Sequence, residues 1–351
     1  PFGNSASIVP QHMGERWMAA GRPDLAIDPF LDAARVAMED VRLAQAYELA
    51  SRALECLSSL HSKCDPRSWE ARLMLADVSA CRGRYDLTLM HLDTAERECP
   101  IHSGTDLEVR VTWLRAQVAD ARRQMDHAID LYTRLCDLCA AHDDRSCLCR
   151  ALARLAGIRM DRGENDEASR LVHQAQSCAG TTSDRRVQGL VHLVAGRLAR
   201  KQGDPTGTLV HCDLAIELLD GPKDYAERAE AIFVKGLKLL ELGRLKEALA
   251  THHTGVAFCR EVGYARGLAA HLANEGAALS GLGRLDEARV AAEQSLALRE
   301  EAGDSAGVAS CLIGLADIAL SDKRWDEARS RSARALSLCR KIGFVSGRRV
   351  A

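Results

Sequence analysis

Thiols come first among the groups that could do chemistry in this chain, which has thirteen cysteines in 351 residues. Cys136-Asp-Leu-Cys139 is followed by Cys147-Leu-Cys149, with His142 and Asp143 between them. A C-x-x-C pair beside a C-x-C pair supplies four thiolates, enough for a tetrahedral zinc site. Gly303-Asp-Ser-Ala-Gly307 has the spacing of a serine nucleophile motif, which requires a sharp strand-to-helix elbow. His252-His253 offers imidazole ligands. No Gly-x4-Gly-Lys-Ser/Thr occurs, so the phosphate-cradling loop of an ATPase is missing from this sequence.

The elements that must position these groups follow a 40-residue repeat. Gly-Arg-Leu-Asp-Glu-Ala at 283–288 lies 40 residues after Gly-Arg-Leu-Lys-Glu-Ala at 243–248, and Arg-Trp-Asp-Glu-Ala ends at Ala328. One column reads Thr88, Ala128, Ala168, Thr208, Ala248, Ala288, Ala328; seven residues on stand Ala95, Leu135, Ala175, Ala215, Gly255, Ser295, Ala335. A third reads Ala76, Ala116, Ala156, Gly196, Gly236, Gly276, Ala316. Small residues let helices approach closely, so these columns are helix contacts. A fourth column, Gly83, Arg123, Gly163, Gly203, Gly243, Gly283, Lys323, has the glycine that favours the left-handed turn after a helix. Leu268, Leu272, Leu279 and Leu282 recur at helical spacing, and so do Leu285, Ala288, Ala292 and Leu296. Each repeat is therefore helix, turn, helix, short loop.

The lattice decides against the chemical readings. Cys99, Cys139, Cys259 and Cys339 share a phase with Ala179 and Leu219, and Cys149 shares one with Val109, Ala229, Ala269 and Ala309. These are packing columns, in which cysteine acts as a small hydrophobe. Cys147 and Cys149, two apart on a helix, point to different faces. Gly303–Gly307 falls in an interhelical loop, where Gly263-Tyr-Ala-Arg-Gly267 holds the same phase without serine. Ala292 and Ser332 hold the phase of His252, which reads as a packed histidine. The expectation is no catalytic residue, no metal and no cofactor.

The small-residue spacing and the glycine turn resemble the tetratricopeptide repeat, whose usual period is about 34. A 40-residue version resembles the longer repeats of Pins-type adaptors and of bacterial signalling proteins. Residues 283–298 and 303–320 carry the likeness best, and the register covers about 66–343. Asn274-Glu275-Gly276 departs from the commoner Leu-Gly pair, the first-helix aromatic is mostly missing, and Arg123 and Lys323 replace the turn glycine. Upstream, Gly21 to Ala33 and Ala46 to Ala53 repeat the spacing half a period apart, giving helices near 11–20, 23–39 and 41–60 off the lattice. The run Gln11–Leu57 is similar to the junction where such repeat arms follow the ATPase module of bacterial signal-transduction ATPases and kinase–ATPase fusions. The resemblance implies an all-α, right-handed solenoid of about nine helix pairs. It has an irregular segment at 1–60, seven repeats at 61–343 and a tail at 344–351.

Acidic and basic residues nearly balance, which gives no support to nucleic-acid binding. No run of 18 apolar residues offers a membrane span. The cysteine count fits a reducing compartment, hence a cytoplasmic protein. The chain starts without Met and reads as a fragment of a longer protein.

By analogy with the tetratricopeptide repeat, the first helix of each repeat lines a concave face. Its inward positions run Glu70, Leu73, Asp77; Arg110, Trp113, Gln117, Asp120; Arg150; Leu190, Arg197, Arg200; Phe233, Leu237; Ala273, Ala277, Ser280; Ile313, Asp317. Of these, Trp113, Gln117, Arg150, Arg197, Arg200 and Phe233 are the candidate partner anchors, and the arginines point to an acidic segment. Ordinary solvated side chains are the competing reading. The implied function is a non-enzymatic scaffold or regulatory arm of a signalling protein, binding a peptide or partner helix. The alternative is a ligand- or peptide-sensing arm controlling an attached ATPase, kinase or protease. The sequence leaves the oligomeric state open.

Overall fold

A computed structural model describes residues 5–60, 65–98, 106–221 and 223–342, with the backbone alone at 5–8 and 342. Cys99 and the tail at 344–351 lie outside the described residues. Among these residues all regular structure is helical: α1 Ser5–Ala19, α2 Pro23–Glu39, α3 Leu43–Ser59, α4 Pro66–Cys81, α5 Tyr85–Glu98, α6 Asp106–Ala121, α7 Met125–Ala141, α8 Arg145–Asp161, α9 Asn165–Ala179, α10 Arg185–Lys201, α11 Pro205–Leu218, α12 Tyr225–Glu241, α13 Leu245–Glu261, α14 Ala265–Gly281, α15 Leu285–Glu301, α16 Ser305–Ser321 and α17 Trp325–Ile342. The first helix starts six residues earlier than the pattern suggested and runs through Pro10. The other two N-terminal helices agree with expectation to within two residues at each end.

The chain divides into two compact units, Pro1–Ala179 with α1–α9 and Gly180–Ala351 with α10–α17. Within each, every helix packs on its successor, and alternate helices also pack on one another, as α2 does on α4 and α12 on α14. That is the contact pattern of an α-solenoid.

The period has a simple local cause. From α12 to α16 every helix is 17 residues long and every link has three residues, so two helices and two links make 40. The turn column is left-handed throughout: φ is +69° at Gly83, +82° at Gly163 and +77° at Gly283. Arg123 and Lys323, both at +59°, adopt the same conformation at the cost of Cβ crowding. At the return links, Asp144 and Asp304 cap the next helix by accepting from the Cys147 and Gly307 amides, each at 2.9 Å.

The small columns are the helix contacts. Ala76, Ala116, Ala128, Ala156, Ala168, Ala248 and Ala288 are fully buried. A Cβ on Gly276 would stand 3.0 Å from the Ala288 carbonyl oxygen, so the α14–α15 crossing is as close as backbone allows. The recurrent Gly-Arg-Leu-x-Glu-Ala signature is structural as well. Arg244, Arg284 and Arg324 each reach three residues forward to Glu247, Glu287 and Glu327, at 2.6, 2.7 and 2.7 Å. These pairs, two of them exposed and the third half-buried, steady the start of the second helix and add little to stability.

Candidate functional site

The first helices of the N-terminal unit are tied along one face by side chains that reach from each to the next. Glu70 of α4 meets Arg35 of α2 at 2.5 Å, and Asp77 of α4 faces Arg110 of α6 at 3.9 Å. From α6 to α8 the link changes character. The Arg150 guanidinium lies over the Trp113 indole, 4.7 Å from its centroid, and the indole also meets the buried Tyr132 of α7 edge-on at 6.0 Å. Gln117 stands one turn on from Trp113, half-buried. The Nε of Arg150 is buried without a hydrogen-bond partner. Three of the anticipated anchors thus lie on two successive first helices, with Arg150 stacked on the Trp113 indole.

In the C-terminal unit the anticipated anchors are more fully engaged within the fold. Arg197 of α10 pairs with Glu230 of α12 at 3.3 Å, and Arg200 pairs with Glu241, which Lys238 also reaches at 3.3 Å. These arginines carry their own carboxylates, an arrangement that the sequence columns gave no sign of. Phe233 does not stand clear of the wall. Its ring meets His252 and His271 edge-on at 6.1 and 5.9 Å.

Those two histidines form a buried pair that the sequence reading had only half seen. His252 is fully buried, as a packed histidine should be, and His271 is 1 % exposed. Their Nδ1 atoms lie 3.2 Å apart, and His271 Nε2 is 3.2 Å from the Ala229 carbonyl oxygen. The carbonyl requires a proton on His271 Nε2, which leaves the Nδ1 of the neutral His271 ring as an acceptor. Burial holds His252 down to about 3 and His271 down to about 4, so both are neutral. Gly236 and Gly255 make the space: a Cβ on either would fall 2.5 Å from His252 Nε2 or 2.3 Å from His271 Cε1. The glycines and the histidines are each 19 apart, close to half the period, the one sequence signal that could have joined them.

The thiols occupy packing positions: Cys139, Cys149, Cys259 and Cys339 are fully buried. Burial pushes Cys136 and Cys212 up to about 12 and Cys259 to about 11, so these stay protonated and poorly nucleophilic. Among the described residues no group of three or more His, Cys, Asp or Glu is placed to hold a metal. Cys147 and Cys149 face different neighbours, Cys139 and Cys178 respectively. Gly303–Gly307 is a left-handed turn followed by the Asp304 cap, with Ser305 opening α16 rather than sitting on an elbow.

Comparison with known proteins rests on this geometry. Residues 267–341 match the tetratricopeptide repeat family model. The helical array has the same architecture as solved structures of low sequence identity. The quorum sensor NprR from B. thuringiensis, in its apo form, superposes with a TM-score of 0.69 at 13% identity, over 90% of this chain and 87% of that one. The fold is a tetratricopeptide-repeat solenoid.

A signal-transduction ATPase with numerous domains and a tetratricopeptide repeat sensor, from Pyrococcus horikoshii, gives 0.62 at 12% identity. There 99% of this chain covers 55% of that protein, so the repeat array spans about half its length. A Rap protein complexed with competence and sporulation factor gives 0.54 at 14% identity, covering 91% of this chain and 77% of that one. No curated protein matches the sequence. Among the described residues no helix is long and apolar enough to cross a membrane.

Proposed function

We propose that this chain is a non-enzymatic interaction scaffold or regulatory arm of a cytoplasmic signalling protein, and that it holds a peptide or partner helix along its first-helix face. The observation that carries the reading is the Trp113–Arg150 cluster: a half-exposed aromatic stacked under an arginine, with Gln117 one turn on. Buried aromatic and arginine contacts dominate interface energies, and an arginine already oriented by an indole loses less freedom on binding a carboxylate. An acidic segment of the partner fits this cluster best. The ion-paired Arg197 and Arg200 contribute less, because a partner carboxylate must compete with Glu230 and Glu241. In this reading the seven repeats at 61–343 are the binding body, and 1–60 is its irregular N-terminal support.

A second reading is favoured by the ATPase likeness, in which a repeat array makes up about half of a larger protein. There the array is a ligand- or peptide-sensing arm that controls an attached ATPase, kinase or protease.

The test is capture of partners on immobilised chain, identified by mass spectrometry, repeated with Trp113→Ala and Arg150→Ala. The anchor reading expects the captured partner to bind about tenfold or more weakly to either variant. Normal binding by both variants, with footprinting that protects the second helices instead, would sink it.

A further inference from the structure

Two thiol pairs meet on α8, one on each side of the helix. Cys147, in its first turn, makes thiol–thiol hydrogen-bonding contact with Cys139 of α7. Cys149 makes the same contact with Cys178 of α9. The Cys178 Sγ is seated by the Arg145 carbonyl oxygen, 3.5 Å away. That carbonyl is the one a regular helix offers to the amide of Cys149, so Cys178 stands over the turn that carries its partner thiol.

The pairs differ in access. Cys139, Cys147 and Cys149 are buried, whereas Cys178 is half-buried. Cys178 lines an open groove of about 660 Å³ between α7 and α9 together with Cys136, Leu148, Leu152, Arg170 and His173; burial keeps the Cys136 thiol protonated, so Cys178 is the groove's reactive sulfur. The groove belongs to the repeat. Its counterpart four periods on lies between α15 and α17 and has Val308 and Leu338 at the positions of Leu148 and Cys178. The thiols do not belong to the repeat. The column of Cys178 is otherwise Glu98, Leu138, Leu218, Phe258, Leu298 and Leu338, and that of Cys149 is otherwise Val109, Gly189, Ala229, Ala269 and Ala309. At this one junction both columns give up their usual residue for a cysteine, and the two cysteines touch.

We propose that Cys178 and Cys149 form a thiol-oxidation site that staples α9 to α8. The oxidant is a low-molecular-weight disulfide, of which oxidised glutathione is the probe. The Cys178 thiolate, reached through the groove, attacks one sulfur of that disulfide and expels the other as a thiolate. This forms a mixed disulfide on Cys178. Cys149 then loses its proton and attacks the Cys178 sulfur, expelling the second small thiolate. Two protein thiols are oxidised to one disulfide, the reagent is reduced to two thiols, and the two protons end on them. Burial raises the Cys149 thiol, so resolution is the slower step and the mixed disulfide appears first. The Cys139–Cys147 pair lacks an accessible member and stays reduced.

The experiment treats the full chain with oxidised glutathione, quenches in acid at intervals, alkylates the remaining thiols and reads peptides by mass spectrometry. One glutathione should appear on Cys178 and then give way to a Cys149–Cys178 cross-linked peptide. Cys149→Ala should arrest at the mixed disulfide on Cys178. Cys178→Leu should leave Cys149 fully alkylated with no cross-link. Both substitutions install the residue that the same column carries elsewhere, so neither should perturb folding, and thermal melts of the reduced variants check this. Persistence of the Cys178 adduct in the wild-type chain without cross-linking, or a first disulfide between any other two cysteines, overturns the proposal.

Discussion

His252 and His271 face each other Nδ1 to Nδ1 at 3.2 Å, with neither imidazole reaching water. Acid must break this arrangement. Both rings are held well below the unfolded histidine value of about 6.5 by burial, so below that pH the unfolded chain binds more protons than the folded one. Their stabilising contribution is complete above about pH 6.5 and is lost as pH falls toward the folded values. Each ring should cost roughly 2 kcal/mol between pH 7 and pH 5. Thermal melts over that range should fall more steeply for the wild-type chain than for His252→Ala/His271→Ala, whose residues stand at Ala292 and Ala231 in the same columns. Equal slopes would contradict the pairing.

The glycines that make room for this pair should be irreplaceable, and a glycine elsewhere should not be. Gly255→Ala places a methyl within 2.3 Å of His271 and should destabilise by about 1–3 kcal/mol. Gly314→Ala, in α16 with nothing within 4 Å of the new carbon, should stabilise by up to about 1 kcal/mol through helix propensity. Denaturant melts of the two variants should move in opposite directions.

Ala288 and Glu287 are neighbours in sequence with opposite roles. Ala288→Arg forces a charge into the closest helix crossing of its repeat and should cost more than about 3 kcal/mol. Glu287→Arg removes an exposed pair with Arg284 and should shift the melting temperature by no more than about 2 °C. Coincident melting curves would refute the contact column.

The left-handed conformations of Arg123 and Lys323 are strained. Lys323→Gly keeps the turn and removes the Cβ crowding, so it should stabilise by about 1 kcal/mol. Gly283→Lys, the reverse change forty residues earlier, should destabilise by a similar amount. Calorimetry on both reads the sign directly.

Trp113, the proposed anchor, also has a packing role. Trp113→Ala loses the edge contact with Tyr132 and the Arg150 stack and should cost roughly 1–2 kcal/mol of stability before any partner is considered. Arg150→Lys keeps the charge but not the planar stack and should cost about 0.5–1 kcal/mol. Binding losses must therefore be read on variants shown to be folded at the assay temperature.

Much of the fold could be read from the columns, because a turn that needs a positive φ and a crossing that admits only small side chains leave marks at fixed spacing. The marks survive even where Arg123 and Lys323 replace glycine, since the three small-residue columns hold the register. The site was less legible. Arg197–Glu230 and Arg200–Glu241 are 33 and 41 residues apart, and where a long side chain ends depends on rotamers that no periodicity encodes. The phase gave Phe233 an inward position, but the histidines that receive its ring come from two other helices. Trp113 and Arg150 were named separately, and their stacking became visible only with the helices in place.

From Gly243 to Gly303 the links are interchangeable: φ is +69° at Gly243, +69° at Gly263, +77° at Gly283 and +68° at Gly303. A second copy of 265–304 spliced after Asp304 would find the same joint at both of its ends. Length is thus a quantity this architecture can vary in whole steps without inventing a new interior, while an insertion of a few residues within a three-residue link would put every following helix out of phase.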